Sequence, residues 1–270
     1  MSAPTPRRWR PSAFIVGSAL THVAALGACV ARPRLWPVAL GAVIADHLAL
    51  TAAGLWPRSA LLGPNLTRLP TAASAGRVAL TIDDGPDPEV TPRVLELLEA
   101  QRASVTFFCI GERVTRHAAL ARDIVARGHA IENHSQRHLH RFSLLGPGGL
   151  AAEVGRAQES IAAATGVAPR FFRAPAGLRN PFLEPVLARA GLTLASWTRR
   201  GFDTVNRSPA QVLARLTARL DDGDILLLHD GHAARTAGGG HVILEVLPAL
   251  LEALRARRLA PVTLRAACAA

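Results

Sequence analysis

The sequence predicts an α/β fold in which parallel strands alternate with outer helices, preceded by a pair of long apolar helices. From about Gly76 onward, short apolar runs alternate with segments of helical periodicity, which is the pattern of a βα repeat. Two long apolar stretches before residue 60 stand apart from this pattern. The 270 residues suffice for one sizeable domain and an additional segment, and an apolar content of 49% is high for a purely soluble domain.

Residues 1–60 are predicted to form a helical hairpin in a membrane. One apolar stretch spans Ala13–Ala31, the second spans Leu35–Trp56, and an Arg-Pro-Arg sequence at 32–34 separates them. At a rise of about 1.5 Å per residue, each helix could cross the roughly 30 Å of hydrocarbon in a bilayer. The alternative is a single signal anchor followed by a helix that lies in the membrane interface.

Ionisable residues interrupt both apolar stretches: His22 in the first, and Asp46 and His47 in the second. Counted outward from Pro33, His22 and Asp46 fall at a similar depth in an antiparallel hairpin. Because an ionisable residue inside a membrane span usually has a partner, we predict a contact between His22 and Asp46. The alternative is that Asp46 marks a second segment that is not fully inserted.

The expected location is the bacterial inner (cytoplasmic) membrane, with the side of the following domain left open. Two spans would place the N-terminus and the domain on one side, and the arginines that flank the spans there favour the cytoplasm. If only the first stretch spans, the domain faces outward.

Residues 61–75 are predicted to be a linker, because prolines break the apolar pattern there, and residues 76–266 are the predicted α/β domain. Strands are expected at Val78–Ile82, Ser104–Ile110, Ala130–Glu132, Phe171–Arg173, Leu192–Trp197, Ile225–His229 and Ala260–Leu264. Helices are expected at Thr91–Gln101, Ala118–Arg127, Gly148–Thr165, Pro181–Ala190, Pro209–Leu220 and Val242–Arg257. This alternation predicts parallel strands with outer helices.

The composition argues against a nucleic-acid partner. The formal net charge of +11 could favour nucleic acid or anionic lipid. However, the arginines are scattered, aromatic residues make up only 4% of the chain, and no nucleic-acid-binding motif is present. The three cysteines are widely spaced, which argues against a disulfide framework and against a Cys-x-x-Cys metal site.

The most informative stretch of the sequence is Thr81–Pro86, in which two adjacent carboxylates follow an apolar run and precede a Gly-Pro turn. In α/β proteins the carboxyl ends of the strands carry the chemistry. Asp83 and Asp84 are neighbours on a strand, so their side chains point in different directions. One can therefore bind a metal while the other acts as a base.

A pair of histidines supplies further candidate metal ligands. His134 and His138 are four residues apart, which is one helical turn, so both can face one point. Two imidazoles and a carboxylate are a common ligand set for a catalytic divalent metal. His140 is two residues further on and is expected to face elsewhere.

Three more polar residues lie at or beyond the ends of predicted strands. Arg173 can hold a carboxylate in its ionised form, His229 suits general acid chemistry near neutral pH, and Asp203 could orient that histidine. Taken singly, each could instead be an ordinary ion pair or a core histidine. They converge on one site only if the strands form a barrel.

These motifs together resemble those of the polysaccharide deacetylase family, also called the NodB-homology or carbohydrate esterase 4 family, over about Gly76–Leu264. The resembling motifs are Thr81–Pro86 for TFDDGP, His134–His138 for HSxxH, Arg173–Gly177 for RxPYG and Leu226–His229 for LxxH. The resemblance implies an incomplete, distorted (β/α) barrel. It also implies an enzyme that hydrolyses the N-acyl amide, acetyl or formyl, of an amino sugar in a polysaccharide, an oligosaccharide or a lipid-linked glycan.

The resemblance further implies a role for each candidate residue. The implied roles are Asp84, His134 and His138 as ligands of one divalent metal ion, expected to be Zn²⁺; Asp83 as catalytic base; Arg173 as the group that tethers the base; His229 as general acid; Asp203 as the group that orients it; and Ala176 as the donor of a backbone N–H to the oxyanion.

Two positions depart from the family pattern. Ala176 stands where the family usually has Tyr, and Arg200 stands at the first Asp of a motif whose second Asp is Asp203. Both changes indicate a substrate unlike a long chitin or peptidoglycan strand, and the predicted hairpin suggests a lipid-linked sugar. The competing function is a non-catalytic carbohydrate-binding or scaffold protein on a deacetylase fold, against which the intact set of candidate catalytic residues argues.

Overall fold

The computed structural model describes residues 5–268, so the first four residues of the predicted hairpin segment lie outside the described residues. Within this range, two long helices precede a single sheet of eight strands, and every named pair of neighbouring strands runs parallel. Helices cover this sheet. The predicted α/β class is confirmed.

The sheet is the wall of an open barrel. Its strands are β1 (Arg77–Asp83), β2 (Thr106–Cys109), β3 (Ala130–Asn133), β4 (Phe171–Phe172), β5 (Thr193–Leu194), β6 (Arg199–Arg200), β7 (Ile225–His229) and β8 (Ala260–Val262). Their order is β5-β4-β3-β2-β1-β7-β6, and β8 pairs with the start of β1. In the part of the chain that the structure describes, β5 and β6 do not pair with each other, so the barrel is incomplete, as the resemblance implied.

The helices agree with the predicted ones to within a few residues. They are α1 (Ala13–Ala31), α2 (Trp36–Leu55), α3 (Thr71–Ser74), α4 (Thr91–Ala100), α5 (Gly111–Arg116), α6 (Ala118–Ala126), α7 (Pro147–Thr165), α8 (Leu183–Ala190), α9 (Pro209–Thr217), α10 (Val242–Ala256) and α11 (Leu264–Ala267), with single 3₁₀ turns at Pro33–Leu35, Phe142–Leu144 and Pro175–Gly177. The sequence patterns did not predict α3, α5, α11 and β6, because segments of two to six residues are too short to show a period.

Alternation along the strands decides which side chains reach the inside of the barrel. In β1, Leu80 and Ile82 belong to the large core under the helices, whereas Ala79 belongs to a second core on the other face of the sheet. Since side chains alternate along a strand, Asp83 shares the face of Ala79. In β7, Ile225 and Leu227 belong to the same second core, so His229, two residues after Leu227, lies on that face as well. Asp83 and His229 therefore both face the inside of the barrel.

The two N-terminal helices form the predicted hairpin, and α1 and α2 are both long and apolar enough to cross a membrane. The predicted contact between His22 and Asp46 is present, with Nδ1 of His22 3.7 Å from Oδ2 of Asp46. Ser18 donates a hydrogen bond of 2.7 Å to the same oxygen, and Nε2 of His22 lies 3.2 Å from Nε2 of His47. The side chains of Ser18, His22, Asp46 and His47 therefore lie together in the hairpin.

The segment after the hairpin packs against the barrel. Leu66 forms a bridge to Ala195 next to β5, and Arg68 forms a bridge to Asp224 next to β7. Leu69 is buried, at 4% exposure. The segment thus contacts the barrel next to β5 and next to β7, and the division at residues 61–75 into a linker stays a prediction.

Candidate active site

A cavity of about 560 Å³ opens at the carboxyl ends of the strands. Six of the eight predicted site residues line it, namely Asp83, Asp84, His134, His138, Ala176 and His229. The other two, Arg173 and Asp203, are buried beside it, at 1% and 0% exposure. The barrel therefore brings together residues from four separate motifs.

The buried guanidinium of Arg173 holds Asp83. Its Nη1 donates to Oδ1 of Asp83 at 2.6 Å and to Oγ1 of Thr81 at 2.8 Å. Its Nη2 donates to the carbonyl oxygen of Ser196 at 2.8 Å, and its Cζ lies 4.0 Å from the ring centroid of Phe108. Burial lowers the pKa of Arg173, and the charge of Asp83 opposes that shift. These contacts fix one carboxylate oxygen of Asp83 and leave Oδ2 facing the histidines.

Asp84, His134 and His138 form a three-ligand cluster beside Asp83. Oδ1 of Asp84 lies 3.3 Å from Nε2 of His134 and 3.3 Å from Nε2 of His138. Nδ1 of His134 lies 2.9 Å from the carbonyl oxygen of Arg173, which can only accept a hydrogen bond. Nδ1 therefore carries the proton in the neutral ring, and Nε2 presents its lone pair to the cluster.

This cluster fits a divalent metal ion. One potential ligand atom from each of the three residues lies within 4.8 Å of the other two. Oδ1 of Asp84 is buried, and no hydrogen-bond partner for it occurs among residues 5–268. A buried carboxylate oxygen is costly without a partner, and an imidazole–imidazole–carboxylate set with hydrogen-bonded outer atoms is the donor chemistry that zinc and similar cations prefer.

The electrostatics of the cluster favour an ionised carboxylate and one neutral imidazole. Burial raises the pKa of Asp84, but the imidazoles of His134 and His232 beside its carboxylate outweigh burial and hold that pKa well below its usual range. Burial, followed by the charge of His134, lowers the pKa of His138 to about 4. Asp84 is thus ionised and His138 neutral at pH 7, which are the forms that bind a metal.

Asp203 and His229 form a second pair at the end of β7, the strand next to β1, where His229 is in register with Asp83. Nδ1 of His229 lies 2.9 Å from Oδ1 of Asp203. Burial lowers the pKa of His229, but the charge and hydrogen bond of Asp203 outweigh burial and raise this pKa to about 9. His229 is therefore a cation at neutral pH, the form that can donate a proton.

Four of the eight left-handed non-glycine residues among residues 5–268 lie at the site. Asp84, Ser135, His138 and Ala176 have positive φ angles of 77°, 62°, 51° and 53°. Each left-handed non-glycine residue costs on the order of 1 kcal/mol, so the surrounding packing must impose these conformations. Such clusters are typical of functional sites.

The sequence patterns did not single out His232, which contacts the metal cluster. Its Nδ1 lies 2.8 Å from Oδ2 of Asp84, the oxygen that does not face His134 and His138. The signal available in the sequence was its position, three residues after His229 in the same strand-end loop.

A second residue that the patterns missed is Asp230, which is buried at 1% exposure beside the cavity. Burial, together with the charges of Asp84 and Asp87, raises its pKa to about 7 against the hydrogen bond from Thr91. Thr91 donates that bond at 2.5 Å to Oδ2. Asp230 therefore ties the loop after β7 to the start of α4.

Known proteins share this architecture and these motifs. The family described as polysaccharide deacetylase matches residues 71–195. A chitooligosaccharide deacetylase from Bradyrhizobium is 36% identical over 156 residues, which are 57% of this chain and 71% of that protein. The chain belongs to the polysaccharide deacetylase family. A peptidoglycan-N-acetylglucosamine deacetylase from Bacillus cereus is 33% identical over 64% of this chain and 81% of that one.

A solved structure confirms the fold of this polysaccharide deacetylase. A family 4 carbohydrate esterase from Streptomyces lividans, in complex with acetate, superposes with a TM-score of 0.63 at 31% identity. The match covers 70% of this chain and 92% of the esterase. The family and fold expected from the motifs are thus confirmed, and the chain is a deacetylase-like hydrolase of the class that acts on carbon–nitrogen bonds other than peptide bonds.

Proposed function

We propose that this protein is a metal-dependent hydrolase that removes an N-acyl group, acetyl or formyl, from an amino sugar. The observation that carries the proposal is the convergence of Asp84, His134 and His138 beside the tethered carboxylate of Asp83 in one cavity. The names of its relatives, which are deacetylases of chitooligosaccharides and of peptidoglycan N-acetylglucosamine, support an N-acylated amino sugar as the substrate.

In the proposed site, Asp84, His134 and His138 hold one divalent cation, for which we propose zinc. When bound, the cation lowers the pKa of a water ligand and polarises the acyl carbonyl. The protein's own contribution is to keep Asp84 ionised and His138 neutral, and to hold Nε2 of His134 toward the site through the bond to the Arg173 carbonyl.

The remaining residues transfer protons and stabilise the negative charge that develops on the acyl oxygen. Asp83, held by Arg173, accepts a proton from the water that attacks the acyl carbon. The backbone N–H of Ala176 donates to the oxygen that becomes negative. His229, kept as a cation by Asp203, protonates the departing amine. The products are a carboxylate, acetate or formate, and a free amino sugar.

The N-terminal hairpin supports a substrate at a membrane, and we propose that residues 1–60 anchor the protein in the bacterial inner membrane. The end of the hairpin packs against the loop that carries Ala176. The carbonyl oxygen of Gly54 accepts from the N–H of Arg179 at 3.1 Å, and Pro57 lies against Gly177. With the domain at 76–266 held this close to the anchor, a lipid-linked glycan is the substrate that this arrangement favours.

Metal content and deacylation, measured on the same preparation, test the proposed function. The full chain would be purified in detergent and given N-acetylglucosamine oligomers, a formylated amino sugar and a polyprenyl-linked amino sugar. Release of amine that a chelator stops and zinc restores would support the hydrolase. Bound metal without turnover would reject these substrates, and the absence of both metal and turnover would favour a non-catalytic carbohydrate-binding protein.

A further inference from the structure

Arg200 places a cation in the wall of the catalytic cavity. It belongs to β6 and pairs in register with Leu227, two residues before His229 on β7. Its guanidinium lies between two aromatic rings, with Cζ 5.5 Å from the ring centroid of Trp197 and 4.9 Å from that of Phe202. Aromatic faces stabilise and orient a guanidinium without neutralising its charge.

The other arginines around the cavity each have a carboxylate within 4.0 Å. Arg137 has Glu153 at 2.7 Å, and Arg116 has Glu112 at 3.4 Å. Arg113 has a more distant carboxylate, Asp87, at 3.9 Å. By contrast, no carboxylate among residues 5–268 lies within 4.0 Å of the Arg200 guanidinium, and the buried Nε of Arg200 has no hydrogen-bond partner in this range.

An oriented guanidinium with an unpartnered N–H is suited to one class of ligand. Its planar fork matches two oxygens of a phosphate or a carboxylate. A half-buried charge and a buried polar atom are both costly without a partner. A substrate oxyanion that enters the cavity would supply a counterion for the half-buried charge, whereas a neutral sugar hydroxyl would leave the charge without one.

We propose that Arg200 binds an oxyanion, a phosphate or a carboxylate, carried by the amino-sugar substrate beside the sugar that is deacylated. This inference rests on the proposed function and narrows its substrate class to anionic glycans. It separates the protein from enzymes of neutral N-acetylglucosamine polymers. It also gives a physical reason for a cation at a position where the family has an acidic residue.

Three sugars test the proposal: methyl N-acetylglucosaminide, N-acetylglucosamine 1-phosphate, and the disaccharide of N-acetylglucosamine with glucuronic acid. Binding to the zinc-loaded full chain in detergent is measured by calorimetry, and kcat/KM for deacylation is measured on the same samples. We expect one anionic sugar to bind about ten- to a hundredfold more tightly than the neutral glycoside, the range expected for charge-assisted hydrogen bonds. Whichever of the two anionic sugars binds more tightly, the phosphate or the glucuronic acid disaccharide, identifies the oxyanion that Arg200 binds.

Arg200→Gln should remove this preference, because it lowers the affinity for the anionic sugar far more than the affinity for the neutral glycoside. The matched control is Arg215→Gln, because Arg215 also stacks over Phe202, with Cζ 5.3 Å from the ring centroid, but does not line the cavity. The control should keep the preference. Arg200→Lys keeps the charge but lacks the planar fork, so this variant should keep only part of the preference for the anionic sugar.

Two results would overturn the proposal: equal binding of neutral and anionic sugars by the unchanged protein, or an anionic preference that persists in Arg200→Gln. The first needs no variant, so the proposal can be rejected even if Arg200→Gln does not fold. Absence of turnover with all three sugars would count against the proposed function, while the binding comparison would still decide on Arg200.

Discussion

Asp203 contacts both the ring and the backbone of His229. Oδ1 lies 2.9 Å from the ring Nδ1, and Oδ2 accepts the backbone N–H of His229 at 2.7 Å. Because Asp203 is fully buried, both its oxygens are committed to this one partner. The pair therefore fixes the ring direction and the charge of His229 together.

Asp203→Asn is expected to move the alkaline limb of the pH profile to lower pH. Asp203 raises the pKa of His229 to about 9 against burial, which lowers it. Without that charge, only the weaker charges of Asp84 and Asp83 oppose burial, so the imidazole deprotonates at lower pH and the general acid is lost earlier. The measurement is kcat/KM against pH, which reports the free enzyme. Asp221→Asn, at an exposed carboxylate, is the control.

The same shift has a consequence for stability. A folded-state pKa of about 9 for His229, above the unfolded value of about 6.5, means that its protonation stabilises the fold. That contribution is complete below about pH 6.5 and is lost as the pH rises through about 9. An unfolding free energy that falls in this window for the unchanged protein but not for Asp203→Asn would agree with the assignment.

Asp83→Asn is expected to lower kcat by about 10²- to 10⁴-fold, because it removes the group that accepts the water proton. Asn keeps an oxygen that can accept from Arg173, so the fold should survive, and the three metal-binding residues are untouched. Amine release, bound zinc and the melting temperature are measured together, with Asp123→Asn on α6 as the control. A rate equal to that of the unchanged protein would remove Asp83 from the mechanism.

His134→Ala and His138→Ala are each expected to abolish stoichiometric zinc binding, because each removes one of three candidate ligands. The control is His140→Ala, since His140 is not part of the three-residue cluster and should leave one metal per chain. Zinc is counted by mass spectrometry after dialysis. Retention of a full equivalent of zinc in both ligand variants would refute this ligand set.

His232→Ala is expected to weaken zinc binding by about tenfold, at the lower end of the range for groups that support metal ligands. His232 contacts Oδ2 of Asp84 at 2.8 Å but is half exposed. The affinity is measured by competition with a chelator of known strength, and His117→Ala, outside the cavity, is the control. An unchanged zinc affinity would show that this contact does not position Asp84.

Gly177→Ala is expected to destabilise the protein by about 1 kcal/mol more than Gly166→Ala. Both glycines have a positive φ, 75° and 72°, so both variants suffer the strain of a left-handed residue. At Gly177 a methyl group would also collide with Trp197 and Pro57, whereas the space at Gly166 is open. Equal decreases in the melting temperature of the two variants would mean that Pro57, just after α2, does not pack tightly on the loop of Gly177.

Much of the fold could be predicted because its elements are long enough to repeat a pattern. The apolar stretches that became α1 and α2, the buried run at β7 and the amphipathic segment at α10 all extend over several periods. By contrast, β6 has only two residues and α5 only six. Their conformations depend on pairing with β7 and on packing against α7, which no local pattern contains.

The residues of the candidate site likewise divide into those that a local motif identifies and those that only tertiary contacts identify. Asp83, His134 and His229 could be recognised because each lies in a local motif at the end of a strand. His232 and Arg200 acquire their meaning from neighbours that are distant in sequence: Asp84 is 148 residues from His232, and Arg200 reaches the cavity wall because β6 pairs with β7, where its partner is Leu227. Sequence alone could therefore suggest these residues only by position.

The sequence by itself determined the α/β class, the apolar hairpin, the family motifs and the chemical types available to the site, because these depend on local pattern and composition. Only the tertiary structure decided that the hairpin packs on the loop of Gly177, that both oxygens of Asp203 serve His229, and that Arg200 is left without a carboxylate. The physical reason is that burial, hydrogen bonding and charge pairing depend on distances between residues far apart in the chain, which exist only once the barrel has formed.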